Sequence, residues 1–213
     1  MALTTVRDIL KNHETVVLGS APLSEEAGNV LASSNFTRLI CVNGSIGITE
    51  RIPDIFVLNS REYDDPIYLN PTRWTAERKQ LHEIMMAQAV GKSTRHIVFL
   101  LKNDRPDQTI ARLHASNTKW RAYTTLNTGQ KTDLVRKAGV YRYTTAFNIS
   151  AGLFGACLAL ANKAQHVTLI GFSFKDGHSY LPNAVNNRFH LEQDQEAIQD
   201  LARVHNSRFH IVY

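Results

Sequence analysis

Short, nearly continuous apolar runs punctuate the chain: Val16–Val17–Leu18, Leu39–Ile40–Cys41–Val42, Ile55–Phe56–Val57–Leu58, Ile97–Val98–Phe99–Leu100–Leu101 and Val167–Thr168–Leu169–Ile170. None keeps a strict apolar–polar alternation. A strand with one face in water must alternate, because successive side chains point to opposite faces of a sheet. These runs therefore read as strands covered on both faces, which is the signature of a parallel sheet. Between them lie segments of helical composition. Helices are expected over 24–33, 76–90, 104–115, 128–138, 150–162 and 192–205, with Ser24 as an N-cap and Glu25 and Glu26 in the first turn behind it. The alternation predicts an α/β fold: a Rossmann-like, doubly wound, mostly parallel sheet in a single domain over 1–213.

The stretch from about 102 to 147 breaks this alternation. It is expected to be a small lid or an acceptor-binding insertion. From Lys119 to Tyr143 it is basic, with Asp133 the only acid, and aromatic residues are interleaved. Such a segment is either a solvated face or a surface for a polyanionic acceptor, with Lys131, Arg136 and Lys137 as acceptor-binding candidates. The net charge of +5 is compatible with anionic ligands. Cys41 and Cys157 lie inside apolar runs and read as buried thiols of a reducing compartment. With no leader-like N-terminus and Ala151–Ala161 too short to span a bilayer, the expected location is cytoplasmic.

In open parallel sheets, ligands bind beyond the carboxyl ends of strands, where strand order reverses. Three clusters fall just past expected strand ends. Gly19, Ser20 and Ala21 run into Pro22, a turn that can offer backbone N–H groups and one hydroxyl to a phosphate, or simply be tight. Asn43, Gly44 and Ser45 follow the second strand. Phe172, Ser173 and Phe174 follow Gly171. Ser150, Ala151 and Gly152 open the buried helix with small residues that let a ligand approach its N-terminus or let the helix pack closely. Tyr180 lies in Gly177–His178–Ser179–Tyr180, and His190 precedes the last expected helix, with Glu192 and Asp194 as carboxylates that could orient an imidazole base. No His, Cys or acidic set has metal-ligand spacing, so neither a metal nor a cofactor is expected.

Taken in order, these clusters resemble the bacterial sialyltransferases of glycosyltransferase family 42. Gly19–Ser20–Ala21–Pro22 stands where that family has Gly-Asn-Gly-Pro, and Cys41–Val42–Asn43 where it has Cys-Asn. Ser150–Ala151–Gly152 stands for Thr-Ser-Gly, Gly171–Phe172 for the strand ending in Gly and an aromatic, and Gly177–Tyr180 for Gly-x-Ser-Tyr; His190 with Asp194 completes the series. Ser20 and Ala151 depart from the pattern, and 60–145 is weakly matched. The resemblance implies a sialyltransferase-like variant of the GT-A fold. It implies inverting, metal-independent transfer from a nucleotide-sugar donor, a CMP-sugar, to an acceptor hydroxyl. His190 is then the general base, Tyr180 steadies the leaving phosphate, and the strand-end clusters hold the nucleotide. Three other readings share these residues. One is a phage-type glycosyltransferase that modifies a hydroxymethylated DNA base from a UDP-sugar. Another is a pyrophosphokinase-like enzyme, which needs magnesium. The last is a non-catalytic nucleotide-binding module.

Overall fold

A computed structural model describes residues 2–33, 35–60, 83–101, 107–143, 149–174 and 191–213. In chain order its elements are α1 (Ala2–Leu10), β1 (Glu14–Leu18), α2 (Glu25–Ala32), β2 (Arg38–Val42), a 3-10 turn (Asn43–Gly47), β3 (Ile55–Ser60), β4 (His96–Leu101), α3 (Asp107–Ala115), β5 (Ala122–Leu126), α4 (Thr128–Lys137), α5 (Ala151–Ala161), β6 (His166–Ile170), α6 (Leu191–His205) and β7 (Phe209–Ile211). The described residues form one seven-stranded sheet in the order β5-β4-β3-β2-β1-β6-β7. Every pairing is parallel. The fold class read from the sequence stands.

The pleat explains why the strand sequences do not alternate. Val17, Ile40, Val57 and Val98 pack on one face beneath α1, α4, α5 and α6. Val16, Leu39, Phe56 and Ile97 pack on the other beneath α2 and α3. Both sets of side chains leave water, so both must be apolar. α5 comes closest to the sheet: a Cβ at Gly155 would lie 2.9 Å from Val17 Cγ1 and 3.1 Å from Val42 Cγ2.

The stretch expected to be a lid is organised differently. Its described part, 107–143, gives α3, β5 and α4. β5 extends the sheet, pairing His96 with Ala122 through to Leu100 with Leu126. α4 packs on α5 through Leu134 and Val135. These residues are therefore an edge of the main layers rather than a cover laid over the site. β5 escaped detection because its outer positions are exposed and only Thr124 and Leu126 are buried, so it carries no apolar run.

Buried polar groups fix the opposite, amino edge of the sheet. The Asp54 carboxylate accepts the Leu39 N–H at 3.0 Å and pairs with Arg95 at 3.1 Å. His96 is 2% exposed; its Nε2 lies 2.8 Å from Thr124 Oγ1, and its Nδ1 has no partner among the described residues. Burial pushes this imidazole below its usual value of 6.5, and burial does the same to His205. The unfolded chain therefore takes up protons first as pH falls through 6.5. Unfolding free energy is expected to decline from that point and to level off below the folded-state values. Denaturant titrations between pH 7 and 5 check this. His96→Gln should flatten the decline, and an unchanged slope would assign it to other groups.

Candidate functional site

The chain leaves β1 for β2 on one side, and β6 returns on the other, so strand order reverses between β1 and β6. A parallel sheet opens a crevice at such a point. Its floor is two turns clasped together. The Gly19 N–H donates to the Ile170 carbonyl at 2.8 Å, and the Ala21 N–H donates to the Gly171 carbonyl at 2.8 Å. A Cβ at Gly19 would overlap the Gly171 carbonyl oxygen. One at Gly171, whose φ is +61°, would stand 2.9 Å from the Gly19 oxygen and 3.1 Å from Leu23 Cδ2. The glycines are there because backbone meets backbone. This corrects the expectation that Gly19 and Ala21 offer their N–H groups to a phosphate, since both are committed to β6. Ser20, between them, is half-buried and already has an interaction partner.

The second cluster is also partly structural. The Ser45 hydroxyl donates to the Leu18 carbonyl and accepts the Val42 N–H, both at 2.7 Å, and Ser45 is 0% exposed. Ser45 thus ties the end of β2 to the end of β1; its one donor is spent on β1, and at 0% exposure the hydroxyl is closed to a ligand. Gly44 is buried beside it. The expectation of nucleotide contacts from Gly44 and Ser45 is revised accordingly, since both are buried. Asn43 differs. It is half-exposed, with φ at 51°, and its Oδ1 accepts the Asn59 N–H at 3.0 Å. That contact fixes the amide at the end of β2, and its NH₂ remains the chemically distinctive group there.

The third group forms the crevice wall. Ser150 caps α5 by accepting the Leu153 N–H at 3.4 Å. Its own N–H donates to Asp194 Oδ1 at 2.8 Å, which anchors the first turn of α6 to the start of α5. Gly152 faces Phe172, with 3.6 Å from a built Cβ to the ring. Ala151 and Gly152 are half-buried. The Phe172 and Phe174 rings meet edge to face at 5.3 Å, and Phe174 lies 6.2 Å from Tyr213. Tyr213 was not foreseen. It follows β7, and because β7 runs parallel beside β6 its far end arrives at the same edge. Partial burial raises its phenol above the ordinary range. Ser173 is half-buried and already has an interaction partner.

Helices that follow parallel strands start at the carboxyl edge. α2, α3, α4 and α6 begin there, as does α5, which runs back to the start of β6; neither α4 nor α5 has an acid in its first turn. The N-termini of α4 and α5 therefore bring uncompensated positive potential to this edge, whereas first-turn acids offset those of α2, α3 and α6. Lys131, in the first turn and a half of α4, adds to it: its Nζ lies 5.9 Å from the Phe154 ring near the start of α5. Arg136 and Lys137 end the same helix, about 8–9 Å further along its axis. The three expected acceptor-binding cations do not share an edge; Lys131 alone is beside the crevice.

Both thiols are unsuited to nucleophilic work. Burial pushes Cys41 up to about 12, and burial together with the nearby Asp194 carboxylate raises Cys157 further. Among the described residues, no three His, Cys, Asp or Glu side chains cluster as a metal site requires. His178, Tyr180 and His190 lie outside the described residues.

No protein-family description matches the sequence, and no curated protein matches it. Solved structures do. The sialyltransferase CstII from Campylobacter jejuni in complex with cytidine-5'-monophosphate is 12% identical, with a TM-score of 0.53 over 94% of this chain and 80% of that one. The same enzyme in complex with CMP-3FNeuAc is 12% identical at a TM-score of 0.51, covering 93% and 79%. A further CMP complex of a variant gives 11% identity and a TM-score of 0.52. The fold is therefore sialyltransferase-like.

Proposed function

We propose that the protein is a nucleotide-sugar-dependent glycosyltransferase whose donor nucleotide lies in the crevice between β1 and β6. The observation that carries this reading is a coincidence of place. The order reversal, the N-terminus of α5, the amide of Asn43 and the aromatic pair Phe172–Phe174 meet at one edge of a fold shared with a CMP-bound sialyltransferase. The crevice is suited to a pyrimidine nucleotide monophosphate. An aromatic wall can take the base, amide and hydroxyl groups can take the ribose, and a helix N-terminus favours the phosphate. Within this reading the transfer is inverting. His190 removes the acceptor proton as the hydroxyl attacks the anomeric carbon, and Tyr180 steadies the phosphate that leaves as cytidine monophosphate. The acceptor is a hydroxyl compound that Lys131 helps to place, and no divalent metal takes part.

Titration calorimetry with CMP and UMP in the presence of a chelator tests the donor side. Binding of CMP without metal is the expected result. Binding that appears only after magnesium or manganese is added would remove the metal-independent mechanism. Preference for UMP would redirect the donor to a UDP-sugar. Nucleotide binding without turnover of any CMP-sugar would reduce the protein to a binding module.

A further inference from the structure

The turns at the amino edge of the sheet carry an unusual set of side chains. Residues 48–54, 88–95, 116–121 and 136–142 enter or leave elements there, and they hold Lys92, Arg95, Lys119, Arg121, Arg136 and Lys137 among their cations. The acids within these turns are Glu50 and Asp54; from α6, Glu196 and Asp200 pair with Arg142 at 3.1 and 3.8 Å and so neutralise that cation. Asp54 is 4% exposed and held by Arg95, and Glu50 pairs with Lys92 at 3.6 Å. The helix dipole accounts for Arg136 and Lys137, which close α4. It does not account for Lys119 and Arg121, which lead into β5 on either side of the half-buried Trp120. Side-by-side backbone pairing brings these turns together: the Lys119 N–H donates to the Lys92 carbonyl at 2.9 Å, and the Arg121 N–H to the Arg95 carbonyl at 3.2 Å.

Large apolar side chains are exposed along the same edge, Ile52 and Val90 toward the α2/α3 face of the sheet and Tyr141 and Val204 toward the α4/α6 face. Ile52 is 59% exposed, Val90 58%, Tyr141 67% and Val204, in the last turn of α6, 45%. Ile52 and Val90 sit in turns joined by the Arg95 N–H to Pro53 carbonyl bond and by the Lys92 ammonium donating to the Thr49 carbonyl. We propose that this amino edge is a docking surface for an anionic lipid bilayer. Cations meet the headgroups and the aliphatic side chains enter the boundary beneath them, the pairing that holds peripheral proteins on membranes. A nucleic acid backbone would satisfy the cations and leave Ile52 and Val90 without a partner, so the bilayer fits better. Five-residue strands separate this face from the crevice by about 17 Å. Docking would thus leave the crevice open on the side away from the lipid. The inference does not depend on what the crevice binds.

Co-sedimentation with phosphatidylcholine vesicles, with and without phosphatidylglycerol, tests it. The expected result is salt-sensitive binding to the anionic vesicles only. Each cation lost near an anionic surface costs about fivefold in binding. Lys119→Glu with Arg121→Glu should therefore weaken binding at least about 25-fold. Lys119→Gln with Arg121→Gln serves if the reversal fails to fold. Ile52→Ser with Val90→Ser should also weaken vesicle binding. Absence of binding to anionic vesicles at low salt would overturn the proposal, as would binding unchanged in either cation variant. Displacement from vesicles by duplex DNA at equal phosphate concentration would reassign the face to nucleic acid.

Discussion

Replacing His190 by alanine is expected to lower turnover about 10²–10⁴-fold and to leave nucleotide affinity unchanged. A base working near neutral pH must rest as the neutral imidazole. The next residue, Leu191, opens α6 at the carboxyl edge, where the helix N-terminus disfavours the imidazolium. Glu192 and Asp194 in the same first turn act in the other direction. One oxygen of Asp194 is held by the Ser150 N–H, so that carboxylate is anchored and does not swing freely toward the acceptor. Under the proposed mechanism the imidazole serves the acceptor and not the nucleotide, which is why affinity should survive. Turnover of a CMP-sugar and calorimetric affinity for CMP, measured on one preparation, decide the matter. Turnover near that of the parent would move the base to His178.

Gly171→Val is expected to destabilise the fold by about 2–5 kcal/mol and to abolish nucleotide binding. Gly171 has φ at +61°, where a β-branched residue is strained, and its would-be Cβ meets the Gly19 carbonyl and Leu23. Neither neighbour can retreat easily, because Gly19 and Ala21 are themselves hydrogen-bonded to β6. Such a loss is a large share of a typical domain's stability of about 5–15 kcal/mol. Gly28→Ala in α2 is the contrast: nothing lies within 4 Å of its Cβ and its φ is ordinary, so helix propensity should make it neutral or stabilising by up to about 1 kcal/mol. Urea titration of both variants checks the pair. A midpoint for Gly171→Val equal to the parent's would show that the two turns are not rigidly clasped.

The central strands were legible because burial on both faces leaves a sequence mark that water-facing strands lack. His166–Ile170 and the α5 helix were read nearly to the residue. β5 was not, because an edge strand with one buried row in Ala122–Leu126 looks like loop. The positions of the candidate site were legible at the level of strand ends, and the direction of each group was not. Ser45 and Ser20 are alike in sequence, each a hydroxyl in a turn after a strand. Ser45 turns inward to bridge β1 and β2, and Ser20 keeps partial exposure. Gly19 was read as ligand-facing, although it is the approach of Gly171, some 150 residues later, that demands it. Tyr213 joined the wall through sheet order, and a single strand's sequence carries no information on order.

The seam between β1 and β6 joins residues 14–18 to residues 166–170. During synthesis β1 to β5 can pair with one another in order of appearance, each strand beside the one before it. The crevice has no second side until β6 emerges and docks against the first strand made. Such a long-range closure carries a high contact order and comes late in folding. A nascent chain halted after α4 would therefore hold most of the sheet and only one side of the proposed crevice, so that nucleotide affinity is expected to arrive with translation of the last third of the chain.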